Sequence, residues 1–98
     1  MLAAFLAFAR GEGGEASGPA SPIELAEEVV ADARRNGGDV SIFAQNETPD
    51  TPSVEMRRRA LKRALTNLVS NAVHYGGKTA LTVRVSRKVV EFAIEDDG

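Results

Sequence analysis

Two asparagines four residues apart, Asn67 and Asn71, interrupt an otherwise apolar run in "NLVSNAVHYGG", and His74 and Tyr75 follow within the next turn. At about 100° of rotation per residue, the four side chains fall within about a quarter-turn of one another on a helix, beside a stripe formed by Leu61, Leu65 and Leu68. An amide offers its oxygen to a hydrated magnesium ion and its NH2 group to phosphate oxygens. Tyrosine offers a flat face to a base, and histidine a donor whose charge switches near neutral pH. Together they could hold a nucleotide. The same spacing also suits polar residues at the border of a helix, with His74 as a surface or C-cap residue and Tyr75 as a core anchor, so spacing alone does not choose.

A second stretch, "EFAIEDDG", delivers Asp96 and Asp97 from the end of a strand onto Gly98. A carboxylate at a strand end can accept a hydrogen bond from the exocyclic amine of adenine, and glycine lets backbone approach a ligand closely. An acidic pair before glycine is equally an ordinary turn. No residue stands out as a catalytic acid, base or nucleophile.

These residues need elements to carry them. Leu2, Phe5, Leu6 and Ala9 recur at spacings of three and four, which predicts an amphipathic helix end over residues 1–10. Residues 11–20 hold so many Gly, Ser and Pro that they read as a linker. Ser21, Pro22 and Glu24 form a helix start, and Ile23, Leu25, Ala26, Val29, Val30 and Ala33 give that helix a buried side as far as Arg35. "DVSIF" reads as a strand, and "NETPDTPS" as a loop. Residues 54–75 predict the longest helix, stopped by Gly76 and Gly77. Alternation predicts two strands, at 80–86 and 89–95, joined tightly through Arg87 and Lys88. This order predicts an α+β fold, with helices on one face of a mixed sheet in a partial two-layer sandwich.

Composition sets the outer bounds. A chain of 98 residues, 43% of them hydrophobic, suits one small domain or a piece of a larger one rather than two domains. Twelve Lys and Arg against fourteen Asp and Glu leave a formal charge of -2, which gives no general attraction to nucleic acid or an anionic membrane. The basic run "RRRALKR" spreads around a helix without interleaved aromatics and reads as a solvated face. The opening "MLAAFLAFAR" lacks a basic leader region and is too short to span a bilayer. The absence of cysteine fits a cytosolic setting.

Taken together, "RRRALKRALTNLVSNAVHYGG" and "VVEFAIEDDG" resemble the ATP-binding domain of sensor histidine kinases, of the EnvZ-like osmosensor type. In that family the first motif is the N box, an Asn-x-x-x-Asn on a helix followed by a basic residue and Tyr. The second begins the Asp-x-Gly-x-Gly box. Asn67, Asn71, Tyr75, Asp96 and Gly98 each fall on a motif position, and His74 stands where the family usually has Lys or Arg near the phosphates.

The resemblance implies a Bergerat-type ATP-binding fold, with ATP and magnesium as ligands. Asn71 would coordinate the magnesium ion, Asn67 would sit beside the phosphates, Tyr75 would pack on the adenine and Asp96 would accept from its amine. Related ATPases of the superfold carry a water-activating glutamate at the position of Asn67. Asparagine cannot take a proton, which favours holding ATP for transfer over hydrolysing it.

The resemblance further implies that residues 1–10 end a dimerisation helix, that 11–20 link it to the catalytic domain, and that 21–98 form that domain's N-terminal part. The parent would be a homodimeric protein-histidine kinase of a two-component system, passing phosphate to a response regulator, and this segment would lie on the cytoplasmic side of an inner-membrane sensor. The phospho-accepting histidine, the second glycine of the Asp-x-Gly-x-Gly box, the lid and the further Gly-rich box are not found in these residues, so the chain alone is expected to be inactive. Two alternatives stand beside this reading. One is a non-enzymatic dimerising or adaptor fragment, and the other is a relative of the anti-sigma serine kinases.

Overall fold

The computed structural model describes residues 2–9, 18–47 and 54–97. The elements run β1 (Leu2–Ala9), β2 (Gly18–Ala20), α1 (Pro22–Arg35), β3 (Val40–Asn46), β4 (Val54–Met56), α2 (Arg58–Gly76), β5 (Thr79–Val85) and β6 (Val89–Asp96). Four strands make one mixed sheet in the order β1-β6-β5-β3, in which β3 and β5 are parallel and the other pairings antiparallel. β2 and β4 form a separate antiparallel pair. The α+β expectation holds.

Helix α1 begins as its sequence dictates. The Glu24 amide donates to the Ser21 hydroxyl at 3.3 Å, and Pro22 fills the first turn, where no amide is needed. It ends at Gly37, whose φ of 87° an L side chain rarely adopts, and the Gly38 amide donates back to the Ala33 carbonyl at 2.9 Å. The Arg34 side chain then donates to the Val40 carbonyl at 2.8 Å and fixes the start of β3.

Alternation in the β5–β6 hairpin sends Leu81, Val83 and Val85, with Val90, Phe92 and Ile94, to one face, and all six are buried. Against them lie Leu25, Ala26, Val29 and Val30 of α1 and Leu65, Val69 and Ala72 of α2. The hairpin connection lacks the Asn-Gly residues that usually make such a turn. Ser86 compensates, because its hydroxyl accepts from the Val89 amide at 3.1 Å and donates to the Val89 carbonyl at 3.0 Å.

The front of the chain corrects the sequence expectation. Leu2–Ala9 is an edge strand paired with β6, not the end of a dimerisation helix. Ala4, Leu6 and Phe8 alternate onto the core, and Phe8 stacks on Phe92 with ring centroids 6.5 Å apart. The pattern of Ala, Leu and Phe suits either period. A helix of about ten residues is marginal alone, whereas pairing with the open edge of β6 satisfies the backbone groups on one side of the strand.

The expected linker also differs in part. Gly18–Ala20 pairs with Val54–Met56, and residues 11–17 lie outside the described residues. For the same reason α2 begins at Arg58 rather than near residue 54, since Val54 and Met56 are buried from a strand with Glu55 turned outward. β3 likewise runs past the expected "DVSIF" to Asn46, drawn on by its pairing with Val83 to Val85.

A polar seam joins the helices. Glu28 on α1 pairs with Arg58 on α2, and Lys62 lies 3.5 Å from Glu28 and 3.6 Å from Asp32. The hydrogen bond from Arg58 holds the Glu28 carboxyl below its ordinary 4.5, aided by the positive charges of Arg58 and Lys62.

Two outcomes follow. Phe92→Ala removes the ring at the centre of the sheet's buried face and is expected to cost about 3–5 kcal/mol, read as a lower urea midpoint at unchanged slope. Because the folded-state pKa of Glu28 is lowered, its contribution is fully present above the ordinary 4.5 and is lost as pH falls through the lower folded value. Acid unfolding of Glu28→Gln should therefore show a shallower fall in stability below pH 4.5 than the parent chain.

Candidate nucleotide site

The core stripe of α2 fixes where its amides point. Asn67 stands two residues from both Leu65 and Val69, about 200° of rotation away, so burying those side chains turns Asn67 to the opposite side. Asn67, Asn71, His74 and Tyr75 are all exposed, Tyr75 at 82%. They occupy the solvent side of the helix rather than the edge of its buried face, and Tyr75 is not a core anchor. Its ring instead meets His74 edge-on, with centroids 4.7 Å apart. Arg59 and Arg63 precede Asn67 at intervals of four and are also exposed, so the amides continue a cationic ladder.

The end of α2 meets the end of β6. A Cβ added at Gly76 would overlap the Cγ and Cβ of Asp96, so glycine at this position is what lets the carboxylate lie against the helix terminus. Gly77 follows with a φ of 82° and turns the chain into β5. A set of hydrogen bonds locks this corner. The Thr79 hydroxyl donates to the Gly77 carbonyl at 3.0 Å, the Thr79 amide to the Asp39 carbonyl at 2.9 Å, and the Asp97 amide to the Lys78 carbonyl at 3.1 Å. Thr79 is buried and pairs across the strands with Asp96.

Asn67 and Asn71 therefore lie on the same helix as the terminus that Asp96 abuts, with His74 and Tyr75 in its last turn. Gly98 lies outside the described residues. Asp96 also borders a cavity of about 420 Å³ on the uncovered face of the sheet, together with Asp39, Lys78, Glu95 and Asp97. This corner is predominantly acidic, so an anionic ligand would need a cation or the α2 arginines beside it.

His74 has a second set of neighbours. A groove of about 260 Å³ between α1 and α2 is lined by Asp32, Asn36, Thr66, Ser70 and His74, and neither asparagine of the motif lines it. The sequence reading missed Thr66 and Ser70. Their signal was present, since each directly precedes an asparagine and the two share with His74 the four-residue spacing of one helical face.

Among the described residues no group of three or more His, Asp or Glu side chains is placed to hold a metal ion. A magnesium ion here would draw its ligands from Asn71, phosphate oxygens and water, which suits a small cation that dehydrates reluctantly. No helix among the described residues is long and apolar enough to cross a membrane. No protein-family model matches this chain, and no curated protein matches it.

The corner has a steric test. Gly76→Ala should displace the Asp96 side chain and cost about 1–3 kcal/mol, the usual range for overpacking. Chemical denaturation gives the loss in stability, and the amide resonances of Asp96 and Asp97 should shift more than those of β3.

Proposed function

We propose that this chain carries the first half of an ATP site of the sensor histidine kinase type, within a Bergerat-like two-layer sandwich. The observation that carries the reading is the contact of Gly76 with Asp96, which puts an Asn-x-x-x-Asn helix and a strand-end carboxylate at one corner. A base packed on the exposed Tyr75 ring would present its exocyclic amine towards that corner, where Asp96 can accept. Phosphates would then extend along α2 towards Asn71 and Asn67, with magnesium held by the Asn71 amide oxygen. Arg63, one turn before Asn67, adds positive charge further along the same path.

His74 takes the place usually given to a permanent cation. With an amide at residue 67 instead of a general base, the site is suited to holding ATP for phosphoryl transfer, which rests mainly on positioning and charge stabilisation. In this reading the parent protein phosphorylates a histidine and serves a response regulator.

A related reading, the anti-sigma serine kinases, gains ground from one observation. The features that set it apart were a helix end at residues 1–10 and a linker at 11–20; Leu2–Ala9 is a strand, and Gly18–Ala20 is paired as one. The phosphorylated residue separates the two, because phosphohistidine is lost in acid and phosphoserine is retained.

Calorimetric titration with magnesium and ATP tests the site. Asn71→Ala should abolish the magnesium-dependent part of binding. Asp96→Asn should weaken adenine nucleotides by about tenfold, the worth of one charge-assisted hydrogen bond, without changing affinity for inorganic triphosphate. Equal binding by the parent chain and both variants would refute these assignments.

A further inference from the structure

β1 is an edge of the four-stranded sheet, and its residues, "LAAFLAFA", include no charge, no proline and no polar side chain. Edge strands are normally guarded by such residues, because their outward amides and carbonyls otherwise template another strand. The opposite edge shows the contrast. β3 carries Ser41, Gln45 and Asn46, and Glu47 just beyond it pairs with Arg84 at 3.3 Å. In β1 the only irregularity is a register shift between Leu2 and Ala4, at one end.

Both faces of β1 continue beyond the edge as apolar surface. On the outer face Leu2 and Phe5 are 57% and 56% exposed. On the helix side, Leu6 and Phe8 line a groove of about 270 Å³ with Met56, Ala60, Leu61 and Ala64, an extension of the core that nothing in the described chain fills. An occupant must therefore be an extended strand that is apolar on both faces. The chain supplies such a strand itself.

We propose that β1 pairs antiparallel with β1 of a second copy, joining two four-stranded sheets into one continuous sheet. Self-pairing of an edge strand usually sets like charges opposite each other, and here there are none to repel. A twofold axis through Leu6 sets Phe5 opposite Ala7 of the second copy and Ala4 opposite Phe8, large against small on each face. The second copy's Leu6 and Ala4 then lie beside the Leu6 and Phe8 that line the groove, and the symmetric contact repeats on the other side. This inference stands apart from the nucleotide reading, since a chain that dimerises and binds no ATP leaves it intact.

Sedimentation equilibrium of the full chain over a concentration series, with the double variants Phe5→Lys/Ala7→Lys and Phe5→Glu/Ala7→Glu, tests it. Both positions face outward, so the lysine variant should keep the parent's circular dichroism while its dimer weakens by at least about tenfold. Mixing the lysine and glutamate variants should restore a one-to-one dimer even if either variant folds poorly alone. A parent chain that stays monomeric up to about 1 mM, a lysine variant that dimerises like the parent, or a mixture that forms no heterodimer would each overturn the proposal.

Discussion

The arrangement depends on the burial of the inner face of the β5–β6 hairpin beneath α2. Leu65, Val69 and Ala72 can reach Val83, Phe92 and their neighbours in only one rotational setting of the helix. That setting turns Asn67 and Asn71 outward. The length of α2 then brings Gly76 to the end of β6, where the absence of a side chain lets Asp96 close against it. The candidate site is thus a by-product of core packing, with polar groups placed by apolar ones.

The same constraint explains the second function of the hairpin, as a frame for strands from distant parts of the chain. β5 takes β3 in parallel on one side, while β6 takes β1 antiparallel on the other. Each added strand brings alternate residues under the helices, and each leaves the opposite face of the sheet uncovered by any element among the described residues. Phe43 and Phe5 lie exposed on that face, in register with Thr82 and Ala93 between them. The ion pairs from Glu28 and Asp32 to Arg58 and Lys62 act at the rim, where they set the contact of α1 with α2 rather than drive it.

Local signals made much of this legible in the sequence. Ser21 and Pro22 announced α1, period-2 alternation announced β5 and β6, and the paired glycines announced the end of α2. The strands β1, β2 and β4 were not legible, because their only reason to be extended is a partner far away in the chain. Leu2, Phe5 and Leu6 satisfy a helical spacing as well as an alternating one, and only the open edge of β6 decides between them. The motif residues were found but their grouping was not. Rotation alone did not reveal that His74 shares a groove with Thr66 and Ser70, or that Gly76, read only as a stop signal, is the seat of Asp96.

In the function proposed, the exposed polar side of α2 and the end of β6 form one nucleotide-binding surface. The most direct measurement is the amide NMR spectrum of the labelled chain, including side-chain amides, during titration with magnesium and a non-hydrolysable ATP analogue. Saturable shifts are expected at the side chains of Asn67 and Asn71 and at the backbone of Tyr75, Asp96 and Asp97. Saturating shifts confined to Asp32, Asn36 and Thr66 in the groove between the helices, or a spectrum that does not move, would contradict this reading.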